Sequence, residues 1–434
     1  DTMRAIQEAR HRNLESEVSP IRTMGDAVIS AFFAADKAKA REKARADVES
    51  HISGMPPRWD LLEAAAARLR AGEHGITPFH WQVEFPEVFV RENGGFDAVV
   101  GNPPFLGGSF ITRSYGAPYF GYLVTSYPGC AHHCDYVGYF ARRNFELLRR
   151  GGVMGMIATK TIAQGDTREG SLQKIIEAGG QIVRVQRSFA WPGEASVFVV
   201  VLHVAKDCYG ATPQLDGAPV SRISAFLVPG TVDSSPERLF GNPYISQGSQ
   251  IYGKGFLFDD TDTAASPTSL VQQIISNRPD LADRILPFIG GDEINSRSDH
   301  ASHRQVIFLS DLKEESELEE FEPLATIVRE RVYPERMRLR DTSSGKQLKK
   351  KWWAYQAHRP KLYERAYRLE RVLVNSLVSS HLSFTFVAAA SVFSHKLGVI
   401  PSRSAALFAC VQSRPHELWT RFLSAPNGDG VSYS

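Results

Sequence analysis

The chain has 434 residues, 43% hydrophobic and 23% charged, with a formal net charge of +2. That length allows two to three domains with a real core, and with no apolar run of 18 residues neither a membrane span nor a secretory signal is indicated. Four cysteines (Cys130, Cys134, Cys208 and Cys410) are too few for a disulfide scaffold and fit a reducing cytoplasm, the location expected here.

The opening DTMRAIQEARHRNLESE starts inside an already helical pattern, so the chain is expected to begin partway through a longer protein. Residues 1–75 read as a helical hairpin or arm, Ala-, Arg- and Glu-rich, with EAAAARLRAG (63–72) ending on a glycine. From 76 to 206 strands and helices alternate. FDAVVG (96–101) is an apolar run between glycines, expected to be a strand buried on both faces. DYVGYFARRNFELLRRGG (135–152) is an amphipathic helix with Val137, Phe140, Phe145 and Leu148 on its apolar side. Asp135 is its expected N-cap and Gly151 its expected C-cap. VMGMIAT, a helix near 168–178, IVRVQ (182–186) and SVFVVVLHV (196–204) follow, and together predict a parallel α/β sheet with right-handed crossovers. Beyond 207 Gly, Pro, Ser and Asp become frequent and elements shorten, which places a boundary near 207–225 and leaves 207–434 as a second region.

The first strand runs straight into Asn102, Pro103, Pro104 and Phe105. Ligands of a doubly wound sheet bind outside the carboxyl ends of its strands, which is where this corner falls. Asn102 offers one acceptor and two donors, and the prolines have no N–H, so the rigid backbone presents carbonyl oxygens without competing donors. Phe105 adds a flat apolar face. Such a corner suits a planar ring bearing an exocyclic NH₂, whose two hydrogens would go to the Asn102 oxygen and the Pro103 carbonyl while Phe105 stacks on the ring. Two acceptors placed tetrahedrally favour a pyramidal nitrogen with a free lone pair, which assists methyl transfer without a separate base. A plain loop followed by a helix-starting proline is the bland alternative.

Asn102-Pro103-Pro104-Phe105 resembles the (D/N/S)PP(Y/F/W) motif of S-adenosylmethionine-dependent amino-methyltransferases. FHWQVEFPEVF (79–89), GFDAVVGNPPF, DYVGYFARRNFELLRRGGVMGMIAT and IVRVQRSFAWPGEASVFVVVLHV, in this order, are similar to large N6-adenine DNA methyltransferases of the type IIG restriction-modification kind and to methylases of BREX- or DISARM-like phage defence. The likeness is close over 76–206 and looser through ILPFIGGDEIN and KWWAYQAHRPKLYERAYRLERVLV. It implies a Rossmann-like class I methyltransferase sheet, incomplete at its N-terminus, over 76–206, and a mixed α/β target-recognition, DNA-binding region over 207–434. It also implies S-adenosylmethionine as cofactor, duplex DNA as partner with other restriction or defence subunits possible, and adenine N6 methylation by base flipping. Asn102 and Pro103 would then hold the N6 amine, Pro104 stiffen the corner and Phe105 stack on the base. The family's Gly-rich cofactor loop has no counterpart in 1–101, so no cofactor-binding residue is named. That departure keeps open a non-catalytic DNA-specificity module, and the shared corner keeps open a protein glutamine N5-methyltransferase, although those are short and lack a large basic C-terminal region.

Other segments give narrower expectations. Lys349, Lys350, Lys351 and Arg359 beside Trp352 and Trp353 suit phosphate contact with stacking on bases, and DTSSGKQ reads as a flexible loop; a buried Trp pair with solvated lysines is the alternative. PFIGGDEIN reads as a tight turn entering a recognition strand, with Gly290 and Gly291 at positive φ. SFAWPGEAS places Phe189 or Trp191 at the same rim as Asn102. CAHHCD (130–135) packs four metal-type ligands into five residues, too tightly for a tetrahedron, so no metal is expected.

Overall fold

The computed structural model describes residues 2–130, 133–191, 198–207, 210–236, 245–424, 426–427 and 430–433; His132, Cys208 and the Pro192–Ser196 part of the rim loop lie outside them. The chain divides into two compact units, Asp1–Pro236 and Glu237–Ser434. Among the described residues no helix is long and apolar enough to cross a membrane.

The first unit opens with three helices, α1 (Thr2–Phe33), α2 (Ala38–Ser53) and α3 (Trp59–Arg70), which bury Ala27, Ala31, Val48, Leu62 and Ala65 against one another. Two one-turn helices follow, α4 (Trp81–Glu84) and α5 (Pro86–Phe89). Their rings give the FHWQVEFPEVF segment a physical role. Trp81, Phe85 and Phe89 all lie edge-on to Phe96, at 5.6, 5.5 and 5.4 Å between centroids, and clamp the start of β1 (Phe96–Gly101). His80 meanwhile meets the buried Asp26 of α1 at 2.8 Å and fastens the segment to the helices.

After β1 come α6 (Gly108–Tyr115), α7 (Ala117–Ser126), α8 (Tyr136–Leu147), β2 (Leu148–Thr159), α9 (Gly165–Gly170), α10 (Leu172–Glu177), β3 (Gly180–Ala190), β4 (Phe198–Lys206) and the short β5 (Gln214–Leu215) and β6 (Ala218–Pro219). The sheet order is β1-β2-β4-β3-β5-β6. β1 and β2 pair in parallel, as expected, but β4 enters antiparallel between β2 and β3. The reason is the length of the connection: β3 ends at Ala190 and β4 begins at Phe198, too short a separation for the crossover of a dozen or so residues that a parallel return needs.

Three further expectations are corrected. β1 is an edge strand and is not buried on both faces; Val100 is 86% exposed. The helix after Asp135 ends at Leu147, and Arg149 and Arg150 already belong to β2. Gly151, at φ +76, sits inside β2, where the register with β1 shifts, and a side chain on the adjacent Gly152 would collide with the Phe96 carbonyl at 2.7 Å. The first unit also runs on past 206 to 236, because Asp216 pairs with Arg187 and the buried Arg168 of α9 reaches the Asp233 carbonyl, the Ser235 hydroxyl and the ring of Phe226. A guanidinium 1% exposed holds that tail in place.

The second unit is mixed α/β. One sheet orders Val392–Phe393, Ile285–Ile289, Arg304–Ile307 and Leu257–Phe258; another orders Phe384–Ala388, Arg371–Ser376, Leu397–Ile400 and Ser246–Gln247. One continuous apolar core, running from Phe256 to Val399, lies beneath them.

Candidate functional site

β1 delivers the chain to the carboxyl rim of the sheet at Gly101, level with Met156 of β2. There Asn102 is exposed, Pro103 is buried, Pro104 is exposed and Phe105 is 41% exposed. Among the described residues no group bonds the Asn102 amide. The corner thus anchors through one proline and turns an unsatisfied amide and a ring toward solvent. An exposed amide with no partner in the chain, beside an exposed ring, is available to a ligand, and binding residues concentrate on such loops at the rim of a rigid sheet.

The rest of the rim is also aromatic. Thr159 pairs with Val199, and Val199 with Phe189, so these residues follow one another in register across β2, β4 and β3. Phe189 is 44% and Phe198 56% exposed, and the Lys160 ammonium lies 5.3 Å from the Phe198 ring. Phe189 and the half-buried Trp191 therefore stand at the rim, as their place in the sequence indicated.

The loop leaving the corner is fastened by Asp135. This residue occupies the N-cap position of α8, but its carboxylate does not cap the helix. One oxygen accepts the Gly108 N–H at 3.2 Å and the other accepts the Thr161 hydroxyl at 2.5 Å. The Tyr136 N–H bonds the Leu106 carbonyl at 2.9 Å, and the Asp135 N–H bonds Thr167 at 2.9 Å. Sequence reasoning missed this clamp, since a side chain at an N-cap position is ordinarily read as serving its own helix. The neighbouring Cys130 and Cys134 are both buried thiols, and the Cys130 Sγ lies 3.2 Å from the Gly170 carbonyl. A cavity of about 470 Å³ also went unforeseen; it is lined by Phe33, Trp81, Tyr122, Tyr136, Tyr139 and Phe140.

In the second unit the proposed DNA-contact residues separate. Lys350, Lys351 and Arg359 are exposed, whereas Lys349 is paired with Asp341 at 2.6 Å. Trp352 and Trp353 are 2% and 3% exposed and cannot stack on bases from there. Trp352 packs edge-on against Tyr333 and Trp353, and its indole N–H reaches Glu315. The expected flexible loop is a helix, Ser343–Lys350, capped by the Thr342 hydroxyl. Gly290 is extended at φ −128, and Gly291 begins a helix, Gly291–Ser296, where a strand was expected. Neither glycine is at positive φ. A Cβ at Gly290 would stand 2.8 Å from the tip of the Arg304 guanidinium, which would have to shift to admit it.

Residues 33–181 match the Eco57I restriction-modification methylase family. That segment, about a third of the chain, contains the corner, the rim end of β2 and the Asp135 clamp. No curated protein matches the chain. Among solved structures, the Type IIL restriction-modification enzyme MmeI in complex with DNA superposes with a TM-score of 0.60 at 19% identity, over 84% of this chain and 48% of that one. A DrdV–DNA complex matches at a TM-score of 0.34 and 11% identity, over 71% of this chain and 36% of that one. The chain thus spans about half the length of the first structure it matches. The sheet of the first unit and the mixed α/β second unit share the fold of that first structure.

Proposed function

We propose that the methylase segment transfers a methyl group from S-adenosylmethionine to adenine N6 in duplex DNA, on a base rotated out of the helix, and that residues 237–434 select the sequence as part of a restriction-modification or phage-defence system. The observation that carries this reading is the free, exposed Asn102 amide beside Phe105 at the carboxyl end of a parallel strand. The DNA in the MmeI complex and the family of residues 33–181 support it.

The chain's own chemistry follows from the corner. Phe105 offers a face for the extruded base, and stacking of this kind is worth roughly 1–3 kcal/mol per base. The Asn102 oxygen and the Pro103 carbonyl accept the two N6 hydrogens, which draws the nitrogen toward a pyramidal geometry and frees its lone pair. The surplus N6 proton leaves through the same acceptors to solvent. Bound S-adenosylmethionine would supply the electrophilic methyl group. The described residues before β1 are helices and turns without a glycine-rich strand-to-helix loop, so they do not fit the cofactor's methionine and ribose ends, and no further step is derived through it.

That misfit favours a second reading, a DNA-specificity module dependent on another source of cofactor binding. The glutamine N5-methyltransferase alternative has against it a large second unit built around its own core. The deciding experiment incubates the full-length protein with duplex DNA and labelled S-adenosylmethionine. Label in N6-methyladenine, reduced about 100- to 1000-fold by Asn102→Ala, is expected; labelling unaffected by that substitution would remove Asn102 from the mechanism, and sequence-specific DNA binding without labelling would favour the module.

A further inference from the structure

We propose that Asp135 is a positioning residue for the Asn102–Phe105 corner, acting through Gly108 and Thr161; this rests on the methyl-transfer reading. Three observations converge on it. The Asp135 carboxylate ignores the helix whose N-cap position it occupies, and spends one oxygen on the Gly108 N–H, three residues beyond Phe105. Its other oxygen takes the Thr161 hydroxyl at 2.5 Å, just past the carboxyl end of β2. The Thr159 hydroxyl lies 2.6 Å from that of Thr161, and because Thr161 has given its proton to Asp135, Thr159 must donate to Thr161.

The result is a chain of hydrogen bonds from the corner loop, through a partly buried carboxylate, to the last residue of the strand beside β1. The loop has little other freedom. A Cβ on Gly108 would stand 2.7 Å from the Cys134 carbonyl oxygen, so the backbone there lies directly against the residue preceding Asp135. The Tyr136 N–H holds Leu106 from the same side. Among the described residues no hydrogen bond or ring contact joins Asn102 or Phe105 to Asp135, Gly108, Thr159 or Thr161. Asp135 therefore sets where they sit and takes no part in the chemistry, and the expected signature is a slower methyl-transfer step with little change in substrate binding. A displacement of about 1 Å at a reacting centre costs on the order of 100-fold in rate.

The test measures single-turnover methylation by the full-length protein already bound to DNA, which counts only folded, DNA-bound enzyme. Asp135→Ala is expected to slow that step by about 10- to 100-fold while DNA affinity stays within about threefold. Asp135→Asn keeps an oxygen for Gly108 and an amide that Thr161 can face, and should restore the rate to within about threefold of the parent. Thr161→Val, similar in shape but without the hydroxyl, should slow it by about 3- to 10-fold, and decides the matter if Asp135→Ala does not fold. Single-turnover rates for Asp135→Ala and Thr161→Val within about twofold of the parent, whatever happens to the melting temperature, would overturn the proposal. An inactive parent protein would instead remove the methyl-transfer reading itself.

Discussion

Phe105, which follows Asn-Pro-Pro, and Trp352, which follows three lysines, were both expected to stack on bases, yet one stands 41% exposed and the other 2%. What separates them is the neighbourhood: Phe105 follows a rigid corner at the end of a strand, while Trp352 follows the helix Ser343–Lys350 and packs into the core of the second unit beside Trp353, with the half-exposed Tyr333 edge-on to it. The exposure of the ring was therefore legible at 102–105, where Pro-Pro fixes the backbone, and the burial of the rings was illegible at 352–353, where it depends on distant helices. The difference is measurable. Trp353→Ala should lower stability by about 3–5 kcal/mol in chemical denaturation, the usual cost of emptying a buried indole site. Lys351→Ala should leave stability within about 0.5 kcal/mol, as for most exposed positions. If Trp353→Ala instead weakened DNA binding without loss of stability, the packing described here would be at fault.

At the scale of elements, the strands that read from the sequence are long and joined by helices: β1, β2 and β3 carry runs of apolar residues and crossovers that fix their direction. The antiparallel entry of β4 and the exposure of β1 were not legible, because both depend on which strand lies beside which. The second unit was less legible still, since its strands are short and pair mainly across long sequence separations. One long-range tie there is open to test by pH. Glu293, fully buried, accepts Arg304 at 2.8 and 2.6 Å and the Gly290 N–H at 2.8 Å, joining the end of strand Ile285–Ile289 to strand Arg304–Ile307. Burial by itself would raise its pKa; the Arg304 and Gly290 bonds outweigh this and hold it below the ordinary carboxylate value. A carboxylate with a depressed folded pKa contributes stability that is complete above its unfolded value, about 4.3, and is lost as pH falls below it. The denaturation midpoint of the second unit should therefore drop more steeply below about pH 4.5 in the parent than in Glu293→Gln. At pH 7 that variant, which leaves Arg304 without its carboxylate, should already be destabilised by about 3 kcal/mol. Identical acid profiles for the two proteins would remove Glu293 as the source.

For the whole molecule, the composition gave a near-neutral chain, and a net charge of +2 over 434 residues offers no general attraction for DNA. If the protein binds duplex DNA as proposed, attraction must come from local cations whose charge is not already matched within the fold. Lys349 fails that test through Asp341, and Arg304 fails it through Glu293. Lys350, Lys351 and Arg359 pass: all three are exposed, and among the described residues none has a carboxylate partner. Each phosphate they neutralise releases counterions, which contributes about 0.9 to the slope of log K against log salt concentration on duplex DNA. Replacing all three by alanine should therefore flatten that slope by about 2 to 3 and weaken binding to specific and unrelated sequences by similar factors, because phosphate contacts position the protein without reading bases. Titrations of the full-length protein across a range of salt concentrations, with a cognate and a scrambled duplex, measure both quantities. A loss confined to the cognate duplex would mark these residues as base readers, and an unchanged slope would place the DNA on a different surface.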